Sequence, residues 1–214
     1  MSLPAKMIPL LLLIVVAVVW GNTAMDSSQS LANHAQQKAN TAADQTLNKQ
    51  QAASLAGFDK MMEVLTHKRC VNCHPAGDRP HQGEDSHVHN FNVQRGPANM
   101  GAGALTCNTC HHEENNDIAG VPGAPEWSLA PLEMAWEGLT RVEIARSMMN
   151  PKVNGGRDLK ETVKHLTEHK LVLWAWEPGV DHEGKPREKP PVSKEDYIAA
   201  VKQWAANGAF IPEK

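Results

Sequence analysis

All four cysteines of the chain lie in two copies of one short pattern, Cys70-Val71-Asn72-Cys73-His74 and Cys107-Asn108-Thr109-Cys110-His111. C-x-x-C-H is the attachment pattern of c-type haem. Two thiols with two residues between them match the two vinyl groups of a porphyrin, and the His that follows reaches the iron from the proximal face. The pattern predicts two covalently bound haem c groups, held by Cys70, Cys73, Cys107 and Cys110, with His74 and His111 as metal ligands.

Two rival readings are weaker. A four-cysteine zinc site usually separates its pairs by about 15 to 20 residues and needs no His after the second cysteine. Here 33 residues separate Cys73 from Cys107. With 11 His in 214 residues, a His after both pairs by accident has odds of about a few in a thousand. A redox disulfide within C-x-x-C would accompany a thioredoxin-like βαβ pattern, which is absent.

An iron that only passes electrons needs a sixth ligand, whereas one that binds a substrate keeps an open position. His34, in a polar stretch, and His182, in a charged loop, read as solvated surface, and His67 and His112 are poorly placed. Four candidates remain. His87 and His89 sit in the loop sequence SHVHN between the two motifs. Met134 lies in the apolar setting LAPLEMAW, where an ordinary core methionine is an equal reading. His165 falls on a helix about 100° from its apolar face, so periodicity alone favours the surface. Arg95 could pair bidentately with a haem propionate, or be a solvated surface group.

The run CHPAGDRP from Cys73, VQRGP, LTCNTCH, PGAPEWSLAP, Met134-x-Trp136-x-Gly138, NGGRDL, His165 and LVLWAWEPG resembles a family of small periplasmic dihaem cytochromes. Members are often labelled as the cytochrome subunit of isoquinoline 1-oxidoreductase-type molybdenum hydroxylases. The likeness covers roughly residues 64 to 212. It implies that His87, His89, Met134 and His165 recur as potential ligands, and that a periplasmic redox enzyme is the partner. A weaker resemblance is to the dihaem small subunit of periplasmic nitrate reductase, where a His between the motifs serves the second haem. That family's upstream distal His is matched here only by His34 or His67. The resulting expectation is that His111 pairs with His89 or His87, and His74 with Met134 or His165.

The elements that must position these groups are legible in part. Phe58, Met61, Met62 and Leu65 recur at one-face helical spacing and run into Cys70. Thr140 with Glu143, and Asp158 with Glu161, are capping-box signatures for two further helices, the first stopping at Asn150-Pro151 and the second running through His169. Ser193 with Asp196 opens a third, with Tyr197, Val201 and Trp204 on one face and Asn207-Gly208 at its end. Residues 75–104 and 118–131 are rich in Gly and Pro and read as long loops that need something to pack against. No strand-like alternation of useful length is visible. The expected fold class is mainly α, with short helices and long loops packed around two porphyrins.

Composition agrees. Six Trp, three Phe and one Tyr make only 5% aromatic residues at 41% hydrophobic overall, so a chain of this size must find core mass elsewhere, and two porphyrins would supply it. A net charge of −3 without a basic block excludes a general nucleic-acid binder. Lys6 and the apolar run 7–20 read as an export signal within residues 1–24, removed or kept as a membrane anchor; the run is short for a span. Residues 25–56 read as a polar, partly helical spacer outside the core, and 57–214 as the dihaem domain.

The expected function is an exported carrier of single electrons between a periplasmic dehydrogenase and the respiratory chain. No phosphate loop, nucleophile elbow or H-E-x-x-H helix is present. The alternatives are a haem enzyme such as a peroxidase, a gas sensor with one open iron, or a small electron-transfer subunit of a periplasmic reductase.

Overall fold

The computed structural model describes the backbone of residues 15–214 and the side chains of residues 28–214. The expected export segment, residues 1–24 with its apolar run 7–20, lies outside the described side chains. Among the described residues no helix is long and apolar enough to cross a membrane.

The chain divides into two units, Met1–Lys49 and Gln50–Lys214. Helix α1, Val15–Leu65, begins in the first and ends in the second. Residues 28–50 are exposed throughout, and side-chain bonds there are local, such as Thr41 Oγ1 donating to Gln37 O at 2.9 Å. The polar spacer is therefore helical where it is described. The second unit starts earlier than residue 57: Ser54 is buried, its hydroxyl donating to Trp204 O and accepting from Phe210 N, both at 2.9 Å.

The second unit is mainly α. After α1 come α2 (Lys68–Val71), two hairpins of two-residue strands, β1 (His81–Gln82) with β2 (His87–Val88) and β3 (Gly101–Ala102) with β4 (Leu105–Thr106), then α3 (Arg141–Met148), α4 (Leu159–Glu168), α5 (Lys170–Leu173) and α6 (Lys194–Ala206). The hairpins are too short to show alternation, which is why periodicity misses them. Both capping boxes form: Thr140 with Glu143 starts α3 and Asp158 with Glu161 starts α4. Ser193 accepts from Asp196 N to start α6.

The core is made by the faces the spacing selects. Phe58, Met61, Met62 and Leu65 of α1 pack with Val142, Ile144, Ala145 and Met148 of α3, Leu166 of α4, and Tyr197, Val201 and Trp204 of α6. The close crossing of α1 and α6 depends on Gly57, where a Cβ would lie 2.7 Å from Ala200 O and 2.8 Å from Trp204 N. Core mass is uneven along the chain. Between Leu65 and Ala124 the buried apolar side chains are the prolines Pro75 and Pro80, while Val88, Phe91, Met100, Leu105 and Ile118 in that stretch stand exposed. The loops between and after the two motifs thus have no side-chain core of their own.

Candidate functional site

The first motif is delivered by α1 and α2. His67 caps α2, and the turn closes with His74 N donating to Val71 O at 2.9 Å. Residues 129–136 then lie along the motif, with Ala130 N on Cys73 O at 3.0 Å and Trp136 N on His74 O at 2.9 Å. This places Met134 O 2.6 Å from His74 Nδ1. Trp136 stacks face to face on the imidazole, with ring centres 3.7 Å apart and planes 14° from parallel.

The second motif repeats the arrangement on a different support. Cys107–Thr109 forms a 3-10 turn, and His111 N donates to Cys107 O at 2.9 Å. His111 Nδ1 lies 2.7 Å from Pro122 O, and Trp127 stacks on the ring at 4.5 Å and 10°. The return of the chain at 122–123 needs glycine: a Cβ on Gly123 would stand 2.1 Å from Glu114 O. In both motifs, then, Nδ1 donates to a backbone carbonyl. That bond fixes the tautomer and leaves the Nε2 lone pair free, which is the arrangement of a ligating His.

A cavity of about 290 Å³ opens beside the first motif, lined by Cys70, Cys73 and His74 together with Arg157, His165 and His169. Met134, Trp136, Thr162 and Trp174 complete its wall. Burial pushes His74 and His165 down to about 4, with the Arg95 charge adding at His74 and the Arg157 charge adding at His165. Burial also lowers His111. All three imidazoles are therefore neutral at pH 7, the form that binds a metal.

Burial raises the Cys70 thiol to about 12 and the Cys73 thiol to about 11, the latter helped by the nearby Cys107, so both are protonated at pH 7 in the chain without a bound group. Among the described residues no group of three His, Cys, Asp or Glu side chains converges as metal ligands. The cavity wall also carries three buried polar atoms without a partner in the protein: Trp136 Nε1, Thr162 Oγ1 and His169 Nδ1. Buried polar atoms are rarely left unpaired, so a group with polar substituents of its own fits this wall.

The remaining candidates separate clearly. His89 stands opposite His111, ring centres 6.1 Å apart at 74°, and its Nδ1 is bonded to Asn90 O at 2.9 Å. His87 is held at the surface, Nδ1 2.6 Å from Asp85 and Nε2 3.1 Å from Gln82. Met134 has its side chain in the core cluster and its carbonyl on His74. His165, which periodicity assigns to the surface, faces the cavity because α4 packs on the loop side as well as on the core.

Arg95 is buried and not a solvated surface group, and its Nε has no hydrogen-bond partner. It is 5% exposed, and its guanidinium donates to Gly77 O at 2.9 Å, to Asn99 Oδ1 at 3.2 Å and to Ala130 O. It ties three loop segments around the first motif. Arg157, passed over by the sequence reading although it lies in NGGRDL, is the arginine whose charge acts on His165. The two stacking tryptophans were also missed as site residues, since nothing in a sequence marks a ring that stacks on an imidazole 62 positions away, as Trp136 does on His74, or 16 away, as Trp127 does on His111. Compared with known proteins, the chain matches no protein-family model, no curated protein and no solved structure.

Proposed function

We propose that this protein is an exported dihaem c-type cytochrome that relays single electrons, taking them from a periplasmic dehydrogenase and passing them towards the respiratory chain. Cys70, Cys73 and His74 would hold one haem, and Cys107, Cys110 and His111 the other. A covalently held haem would supply a reversible one-electron iron couple. The residues of this chain would orient it and exclude water.

The observation that carries the reading is the pair His89 and His111. Their ring centres are 6.1 Å apart and each Nδ1 is committed to a backbone carbonyl, which leaves the two Nε2 atoms as the nitrogens that would hold one metal ion. His165, neutral and lining the same cavity as His74, would be the second ligand of the first centre. Filling both sixth positions with strong ligands supports electron transfer over substrate binding.

A pyridine haemochrome assay on the protein from the periplasmic fraction should return two haems per chain. The oxidised protein should lack the near-infrared thioether-to-iron band, and the reduced protein should not bind carbon monoxide at neutral pH. Fewer than two haems would refute the assignment. Rapid stoichiometric carbon monoxide binding would transfer it to a haem enzyme or gas sensor.

A further inference from the structure

The cavity beside the first motif carries more hydrogen-bond donors than the protein satisfies. Two arginines line it. Arg69 is spent: its guanidinium pairs with the Glu84 carboxylate and donates from Nε to Glu188 O at 2.8 Å. Arg157 is half-buried. Among the described residues its guanidinium has one hydrogen bond, from Nη1 to Asn154 O, and no carboxylate partner.

The start of α4 sets Arg157 beside Thr162. Asp158 caps this helix with a complete capping box, so Arg157 is the residue before the cap and Thr162 the fourth of the helix. Side chains at those two positions pack against each other. Thr162 is 3% exposed and its hydroxyl has no partner, whereas Thr167 on the same helix donates back to Val163 O at 2.8 Å, as helical threonines commonly do. Trp136 lines the same cavity with a second buried, unpartnered group, its Nε1–H. An indole N–H and a guanidinium can only donate, and a hydroxyl can donate, so the group that satisfies all three is an acceptor. A carboxylate accepts at both oxygens and carries the charge that Arg157 lacks opposite it. The remaining unpartnered atom, His169 Nδ1, is of the other kind: Nε2 faces the Glu126 carboxylate at 3.0 Å, so in the neutral ring Nδ1 is an acceptor. The rest of the wall includes Leu65, Leu129, Met148 and Leu166. It suits an apolar body with an acidic end.

We propose that Arg157, with Thr162 beside it and the Trp136 N–H, is the carboxylate-binding end of this cavity, and that it takes an acidic side arm of the haem held by Cys70 and Cys73. The identity of the ligand rests on the dihaem reading. The donor set does not: it selects a carboxylate on an apolar body, tethered or free.

The test separates charge from shape. The full-length variant Cys70→Ala/Cys73→Ala keeps His74 and the cavity but tethers nothing there, and it is titrated with free iron protoporphyrin IX and with its dimethyl ester, followed by the Soret band. The diacid should bind more tightly than the diester. Adding Arg157→Gln should weaken the diacid about tenfold, equal to about 1.4 kcal/mol, and leave the diester unchanged, while Arg157→Lys, which keeps the charge, should recover part of the loss. Equal weakening of both ligands, or of neither, would overturn the inference. A second readout needs no thiol-free variant: in the covalently loaded protein the resonance Raman bending band of the haem carboxylate arms should shift in Arg157→Gln at unchanged haem content, and a fixed band would overturn it. Fewer than two haems in the parent, with the discrimination between diacid and diester kept, would overturn the dihaem reading and leave the carboxylate site standing for a free ligand.

Discussion

Trp136 offers the sharpest test of how the first centre is built. The ring is 4% exposed, belongs to the buried core cluster, and covers the His74 imidazole at 3.7 Å. Trp136→Ala removes a large buried ring from a site whose neighbours include Met134 and Met148. Such truncations cost about 3–5 kcal/mol. For a domain of this size each kcal/mol lowers Tm by about 2–4 °C, so the expected drop is about 6–20 °C. Trp136→Phe keeps a stacked six-membered ring and removes the pyrrole portion with its N–H. Because that N–H has no partner within the protein, a loss that is greater by about 0.5–1.5 kcal/mol in the haem-loaded than in the haem-free Phe variant would report a hydrogen bond to the bound group, since the lost packing is common to both. Calorimetry should be paired with electron paramagnetic resonance of the oxidised protein, since a released imidazole changes its plane and shifts the first centre's g-values while the second's stay fixed. An Ala variant with parental Tm and an unshifted spectrum would refute the reasoning that this ring both fills the core and holds His74.

Three further outcomes follow from the geometry. His89→Ala removes the imidazole opposite His111, so the reduced variant should bind one equivalent of carbon monoxide per chain; failure to bind would assign the sixth ligand elsewhere. Gly57→Ala forces a Cβ against the backbone of α6 at 2.7 Å and should cost about 1–3 kcal/mol in urea unfolding, whereas an ordinary surface Gly→Ala in a helix would stabilise. Burial pushes the Glu84 carboxyl up, but hydrogen bonds from Arg69, Lys68 and Glu188 N outweigh it and hold the group below its usual 4.5. A carboxyl lowered on folding adds stability above its unfolded value and loses it as pH falls through the lowered one. The urea midpoint of the parent should therefore drop below pH 4.5 more steeply than that of Glu84→Gln, and parallel curves would exclude the carboxyl as a contributor.

Much of the scaffold could be read in advance because its causes are local. A capping box needs two residues three apart, and a buried helix face needs a repeat within two turns, so α3, α4, α6 and the end of α1 follow from neighbours in the sequence. The same locality misled at His165: a position about 100° off the apolar stripe of α4 is solvent-facing only if one side of the helix is covered, and here the cavity occupies a second side. The burial of Arg95 was hidden for a related reason. Its three backbone acceptors belong to residues 75, 77 and 130, and no local pattern announces a guanidinium donating to distant carbonyls.

The sequence alone determined the case for covalent haem: each C-x-x-C-H motif carries two thiols and an imidazole within five residues, so no tertiary contact is needed to recognise it. Tertiary structure decided the surroundings of each motif. Which carbonyl holds each motif His, which second imidazole lies near it, and which indole stacks on it depend on loops that close across many residues, as between His74 and Met134 or between His111 and Trp127. Those closures are set by packing among segments with little apolar content of their own, and packing is a property of the assembled surfaces rather than of any one stretch of chain.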